Sequence, residues 1–320
     1  MKVVALAGGV GGAKLAFGLA QCLPPEDLSI VVNIGDDFEH LGLKICPDLD
    51  TVCYTLAGIA NPETGWGRAE ETWNALESLT RLGGPAWFRL GDRDLGALLE
   101  RTRRIHTGER LSQITQDFCR AWDILLTVLP ASDDAVPTWV YTDLGEMPFQ
   151  EYFVRRQCQP RVTGFRFEGV DRASPAPGVV KSLQAADLVI ICPSNPWVSI
   201  DPILALPGLR ELLHSRKKQE GCPLIAVSPI IGGQTVKGPA AKMYAELGIP
   251  PSAQAVARHY GSLLSGFVMD TVDSSQASEV TGLGIRSHIV DTWMKTPGDR
   301  RRLAEVVIKF ADELPLKKNS

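Results

Sequence analysis

Several features are missing from this 320-residue chain, and each absence removes a class of function. Basic residues do not outnumber acidic ones: 33 Lys and Arg stand against 37 Asp and Glu, a net charge of −4. A nucleic-acid coat or a polybasic membrane-surface protein depends on a net positive field, so neither fits. No apolar run approaches the roughly 18 residues of a membrane span. The opening MKVVALAGGVGGAKLAFGLAQCL has the lysine-then-apolar look of a signal peptide, but its glycines and Lys14 break any helical apolar region. The seven cysteines (Cys22, Cys46, Cys53, Cys119, Cys158, Cys192 and Cys222) are odd in number and scattered, with no C-x-x-C pair. That argues against a disulfide framework or a zinc site, and for thiols in a reducing cytosol. The histidines show no H-E-x-x-H spacing, and Ser194 lacks a G-x-S-x-G elbow. The chain reads as a soluble, cytoplasmic protein with no nucleic-acid or membrane partner.

What is present is a globular composition, 44% apolar, enough for one large domain or a core with a sizeable insertion. Residues 2–7 read as a buried strand, Lys14–Cys22 as a helix and Leu28–Ile34 as a second strand. Strand, glycine turn, helix, strand is a βαβ opening and predicts a parallel sheet. Similar strand-like runs return at Asp187–Cys192, Pro223–Ser228 and Gly266–Asp270, with helix-compatible stretches at Ile203–His214 and Ala240–Leu247. The middle differs. Glu70–Arg81, Leu95–Ile105 and Leu111–Leu126 carry apolar residues at helical spacing, with extended pieces at Thr138–Thr142 and Tyr152–Phe167. The predicted fold is α/β, a Rossmann-like, mostly parallel sheet flanked by helices. Residues 1–51 and 166–320 would form the nucleotide-binding core, and 52–165 a helix-rich insertion. Asp299–Glu313 reads as an amphipathic helix before a solvated end, Lys317 to Ser320.

Two stretches carry the chemistry. Thirty glycines are about 9% of the chain, and five of them fall between Gly8 and Gly18 against an average near 7%. Between a strand and a helix, Gly8, Gly9, Gly11 and Gly12 would let backbone N–H groups approach an anion, with the helix dipole assisting. Neither standard fingerprint fits: Lys14 stands where a Rossmann turn has its third glycine, and Leu15 where a P-loop has its magnesium-binding hydroxyl. After the second strand come Asp36, Asp37, Asp48 and Asp50, four aspartates within fifteen residues. They lie where open α/β sheets place their ligands. Asp48 and Asp50, two apart, would point to one side of an extended backbone. Hard carboxylate oxygens suit Mg²⁺ beside substrate phosphates, and an aspartate can also take a proton from an attacking hydroxyl. Single aspartates more commonly form turns and helix caps. Trp87, Phe88, Arg89 and Arg93 combine a stacking surface with anion-binding charge, or else simply precede a solvated helix cap. Ser194 and Asn195, expected to be exposed at a strand's carboxyl end, could bond a base or phosphate, and 227–239 repeats that pattern after the next strand.

These motifs resemble the 2-phospho-L-lactate transferase family of coenzyme F420 biosynthesis. The blocks are LAGGVGGAKLAFGL, VVNIGDD with GLKICPDLDTVCYTLAG, WFRLGDRDL, TDLGEMPFQEYFV, PSNPWVSIDPIL and VSPIIGGQTVKGPAAKM, in family order from about residue 4 to 273. Arg89 and Arg93 stand where many relatives have Lys, keeping charge but changing hydrogen-bond geometry. The resemblance implies a Rossmann-like core, a homodimer, Mg²⁺ and a reaction. A guanosine diphosphate-activated phospho-acid would be transferred to the deazaflavin alcohol Fo, releasing GMP and giving coenzyme F420-0 or its dehydro form. It further implies that Asp50 and Arg89 bind the deazaflavin, and that the glycine turn with Lys14 and the Ser194–Asn195 loop serve the nucleotide. A matching mechanism has backbone N–H groups of Gly9–Ala13 on the diphosphate and Mg²⁺ on Asp48, Asp50 and Asp36. An aspartate of that loop, Asp48 or Asp50, would act on the ribityl hydroxyl, with Trp87, Phe88 or another aromatic of the insertion stacking the flat ring. The residues leave the donor acid open among lactate, enolpyruvate and glycerate. The runner-up is a nucleotide-sugar-binding regulatory protein of the same fold. That branch tends to read GGGTG and ADDGGSSG, where this chain has GGVGGAKLA and GDDFEHLGLKICPDLD. An NAD-dependent oxidoreductase is weakened by the missing third glycine.

Overall fold

The structure, a computed structural model, describes residues 1–314; the solvated end expected at Lys317–Ser320 lies outside them. The apolar runs at the start become β1 (Val3–Ala7) and β2 (Leu28–Val32), paired in parallel with Val3 opposite Leu28. Their small and β-branched residues are almost wholly buried, as expected where helices cover both sheet faces. Helix α1 (Gly9–Ala20) makes the crossover.

The chain then leaves the sheet. A short antiparallel hairpin, β3 (Phe38–His40) and β4 (Leu43–Ile45), leads into α2 (Pro47–Leu56). Helices α3 (Asn74–Arg81), α4 (Asp92–His106) and α5 (Leu111–Ala121) follow. Strand β5 (Thr127–Pro130) returns to pair with β2. A small antiparallel sheet in the order β7–β6–β8 comes next, from β6 (Thr138–Thr142), β7 (Gly145–Pro148) and β8 (Val162–Phe167). After α6 (Val179–Ala185), β9 (Leu188–Ile191) joins the other side of β1. Helices α7 (Asp201–Leu204) and α8 (Leu209–Gln219) connect it to β10 (Leu224–Val227). A two-residue-per-strand hairpin, β11 (Ile230–Ile231) and β12 (Gln234–Thr235), precedes α9 (Ala240–Glu246) and α10 (Ala253–Tyr260). The sheet ends with β13 (Gly266–Met269), α11 (Ala277–Gly282) and β14 (Arg286–Ile289), and α12 (Pro297–Asp312) closes the described chain.

The central sheet is β14–β13–β10–β9–β1–β2–β5, parallel throughout. Renumbered along the chain, this is the Rossmann order 3-2-1-4-5-6 with a seventh strand added at one edge. The order reverses at β1, so the loops leaving β1 and β9 diverge and open a crevice at their carboxyl ends. Among the described residues no helix is long and apolar enough to cross a membrane.

Several expectations are corrected. Helix α1 starts at Gly9 rather than Lys14, so most of the glycine turn is helix. The stretch 203–214 is two helices, broken at Leu206–Pro207–Gly208, where Gly208 takes a φ of +79°. The stretch 111–126 stops being helical at Ala121; Asp123, with φ +55°, turns the chain towards β5. Tyr152–Phe167 begins with a helical turn, Glu151–Arg155, before β8. The span 52–165 is not purely an insertion, because β5 lies inside it and belongs to the central sheet. Strand β14 escaped notice because its RSHI is half exposed at a sheet edge and carries no apolar run.

Two glycines test the packing. A methyl group on Gly18 would strike the Arg300 carbonyl where α1 and α12 cross, whereas one on Gly96 in α4 would meet nothing within 4 Å. Gly18→Ala should lower stability by about 1–3 kcal/mol, and Gly96→Ala should raise it by about 0.5–1 kcal/mol. Denaturant unfolding of both variants checks this pair of opposite signs.

Candidate functional site

The crevice is built around the start of α1. Gly8 caps the helix; its N–H donates to Ser194 Oγ at 3.1 Å, and that hydroxyl donates back to the Gly8 carbonyl at 2.8 Å. A side chain on Gly8 would collide with the Asp48 carboxylate and with Ser199 Cβ, 2.7 Å away. One on Gly11 would collide with the Pro193 carbonyl, and one on Gly12 would sit 2.6 Å from Ser194 Oγ. The glycines therefore let the helix lie against the 193–195 loop and against α2. Gly9, with φ +62°, lies beside Asp48 at the helix's positive end.

Asp48 and Asp50 do not share an extended backbone. Both fall in the first turn of α2, where residues two apart diverge by about 200°. Asp48 turns to the α1 side. Buried Asn33 holds it there: the Asn33 amide donates to Asp48 Oδ2 at 2.9 Å and to the Val198 carbonyl at 3.0 Å, while its Oδ1 accepts the Gly35 N–H at 2.8 Å. Asp36 joins them, 3.4 Å from the same amide, with the Gln150 amide on its own far side at 3.4 Å. Burial, then the charges of Asp48 and Asp37, push the Asp36 carboxyl well above the ordinary range. Burial pushes Asp48 up to about 6, opposed by its bonds from Asn33 and the Gly9 N–H. Two carboxyls this close favour a shared proton. Next to them, Asp37 pairs with Lys44 at 3.2 Å through Oδ2, while its Oδ1 is buried without a partner. Burial still holds Asp37 above its usual value.

Asp50 turns to the other side of α2, where both its oxygens are bound by Arg101 of α4, one of them at 3.0 Å from Nη1. Arg101 is 2% exposed, the largest fully buried side chain among the described residues. The structure thus brings together Asp36 and Asp48 and separates Asp50 from them. Among the described residues no group of three or more His, Cys, Asp or Glu is placed to hold a metal ion. The pair Asp36–Asp48 nevertheless fits Mg²⁺, which binds through one or two carboxylates and completes its shell with phosphate oxygens and water. Asp50 does not fit it, because its lone pairs are engaged by a guanidinium.

The remaining expected site residues are dispersed. Trp87 packs edge-on against His40 at 5.0 Å between ring centres, within a nest that includes Phe38 and Phe88. His40 Nε2 is buried there without a partner, and burial lowers the ring's basicity. Exposed Arg89 stacks 4.2 Å over Trp73, and Arg93 pairs with Glu70 at 2.9 Å. Ser194, expected to be exposed, is buried on Gly8. Asn195 caps the next turn, accepting the Trp197 N–H at 3.1 Å. Lys14 donates to the Met294 carbonyl at 2.9 Å, on the flank of α1. Sequence reasoning passed over Asn33, Gln150 and Arg101. Only Arg101 left a signal: it falls on the buried face of α4 with Ala97 and Leu98, where a charge demands a partner.

Comparison with known proteins extends these observations. A family model described as 2-phospho-L-lactate transferase CofD matches residues 3–291. A Streptomyces griseus protein named phosphoenolpyruvate transferase is 42% identical over 320 residues, covering 98% of this chain and 99% of that protein. A Streptomyces coelicolor protein of the same name is also 42% identical, with the same coverage. A solved Bacillus halodurans structure, described as a member of the upf0052 family, has a TM-score of 0.62 at 16% identity. It covers 96% of this chain and 99% of that one, a likeness of fold alone.

Two consequences are measurable. Asp48 has a native pKa above its unfolded value, so the native state holds more protons between about pH 4 and 6, and stability from this group falls as pH rises through that window. Relative to Asp48→Asn, the wild type should lose stability from pH 4 to 7; parallel stability curves would contradict the buried pair. Asp50→Asn strands the buried Arg101 charge and should cost about 3–5 kcal/mol in urea unfolding.

Proposed function

The chain belongs to the 2-phospho-L-lactate transferase CofD family, and on that premise we propose that it transfers the phosphoenolpyruvyl group of a guanosine diphosphate-activated donor to the deazaflavin alcohol Fo. GMP leaves, and the dehydro form of coenzyme F420-0 results. The name shared by the relatives at 42% identity favours enolpyruvate over lactate and glycerate as the donor acid. The observation that carries the reading is the buried Asp36–Asp48 pair at the positive end of α1, in the crevice where the strand order reverses.

Transfer of a substituted phosphate depends on positioning and charge neutralisation more than on covalent chemistry. The first-turn N–H of α1 at Val10, next to the Gly9 N–H that Asp48 takes, would hold the donor's diphosphate. Asp36 and Asp48 would hold Mg²⁺, which when bound neutralises charge on the diphosphate and eases departure of GMP. Asp48, at the positive end of α1, would also help orient the ribityl hydroxyl. Arg89 would contact the acceptor, with the nest around Trp87 offering its ring a flat apolar surface, while Asp50, bound by Arg101, would hold α4 against that wall. Gly11, Gly12, Ser194 and Asn195 support this arrangement from behind: they join α1 to the loop after β9 and fix its N-terminus. The enzyme would work in the cytoplasm as a homodimer.

Incubation with Fo, Mg²⁺ and enolpyruvyl-, lactyl- or glyceryl-diphosphoguanosine, followed by chromatography, tests the reading. The enolpyruvyl donor should give the most product. Asp48→Asn should lower kcat at least about a hundredfold, with folding intact. No product from any donor, combined with tight binding of a UDP-sugar, would instead establish the regulatory reading.

A further inference from the structure

Helix α1 has a flank that the transferase reading leaves unused. Val10, Lys14 and Phe17 recur at i, i+4 and i+7, one stripe running about 10 Å from the end of the helix that meets the diphosphate. A cation attends each position. At Val10, the Gly65 loop packs against the helix so closely that a methyl group on Gly65 would lie 2.8 Å from Val10 Cγ1 and 3.3 Å from Lys237 Nζ. Lys237 donates to the carbonyls of Glu63 and Thr64 in that loop. One turn on, Lys14 Nζ rests on the Met294 carbonyl at 2.9 Å. A further turn on, the Arg300 guanidinium lies 5.2 Å over the Phe17 ring, with its Nε buried and unpartnered.

Two of these cations, Lys14 and Arg300, are half-buried, and the third, Lys237, is exposed. Most described arginines and lysines in the interior or half-buried have a carboxylate within reach, as Arg101, Arg104 and Lys44 do. None of Lys14, Lys237 and Arg300 makes an ion pair with any described residue; carbonyl oxygens are the acceptors of the two lysines. Burial, then the charges of Arg300 and Lys237, depress the basicity of Lys14, a strain that an anion would relieve. The stripe begins at Val10, in the first turn of α1. Ammonium groups with a carbonyl already bound retain donors for one more acceptor.

We propose that Lys237 and Lys14, backed by Arg300, form a carboxylate-binding subsite for the acid end of the donor, beyond its diphosphate. The identity of that donor rests on the transferase reading; the presence of the subsite does not. A guanosine di- or triphosphate has no carboxylate to place there, so the subsite separates the donor from the ordinary nucleotides that share its other half.

Calorimetric titration with phosphoenolpyruvate and with vinyl phosphate, which keeps the phosphate and lacks the carboxylate, isolates the carboxylate's contribution. The wild type should bind phosphoenolpyruvate at least about tenfold tighter, and Lys14→Met/Lys237→Met should bind the two alike. Lys237, being exposed, carries the test through Lys237→Met alone if the double variant fails to fold. Lys295→Met removes a nearby cation that stacks on Trp293, outside the stripe, and should keep the wild-type preference. Equal affinities in the wild type, binding of neither compound, a preference that survives loss of Lys237, or one lost equally in Lys295→Met overturns the subsite. Turnover is measured separately with Fo and the enolpyruvyl donor. A carboxylate preference without turnover sinks the transferase reading and leaves the subsite; turnover without the preference does the reverse.

Discussion

The crevice depends on one contact, a carboxylate buried at the positive end of a helix. Asp48 can occupy that place because Gly8 has no side chain to exclude it and because Asn33 and the Gly9 N–H bond its carboxylate. Asn33 follows β2, Gly8 follows β1, Ser194 follows β9 and Asp48 lies in the first turn of α2, so a single polar knot ties four segments together. Every member is nearly dry, which makes each hydrogen bond costly to leave unmade. An acid in such a place is held partly against its own ionisation. That is the property a group needs if it is to accept a proton or a cation near neutral pH.

A second buried charge links the helical segment to this knot. Arg101 reaches from α4 to the first turn of α2 and takes both oxygens of Asp50. A buried ion pair seldom adds stability over an apolar pair of the same shape, and its more general use is to specify one arrangement. Here it sets the register of α4 against α2, and through α2 the position of Asp48 two residues earlier. Lys44, Thr102 and the β3–β4 hairpin extend the same seam: the Thr102 hydroxyl accepts the Lys44 N–H, and Lys44 pairs with Asp37. The helices between β2 and β5 are thus part of the site's wall. The opposite flank of α1 carries cations, Lys14 and Arg300, where α2 contributes anions.

The core strands were legible because parallel strands covered on both faces need unbroken apolar runs, and VVALA, LVII and LIAV are such runs. Helix ends were less so. The break at Pro207–Gly208 and the stop at Ala121 turn on backbone angles and on a strand that forms only once β2 is there to pair with. Composition marked the glycine cluster but not the packing it permits. Glycine is required wherever another group must come close, and the sequence could not say that Pro193, Ser194 and Asp48 would be among those groups.

By itself the sequence determined the fold class, the acidic loop beside the glycine turn and, through long matching blocks, the family, because periodicity and motif order are properties of neighbours along the chain. Tertiary structure alone decided which aspartate faces which partner. Asp48 and Asp50 are two residues apart and chemically identical, yet a helical turn sends one to Asn33 and Asp36 and the other to Arg101, fifty-one residues away. Direction and burial arise only when the elements pack, and those two quantities separate a carboxylate held at a helix's positive end from one committed to a salt bridge.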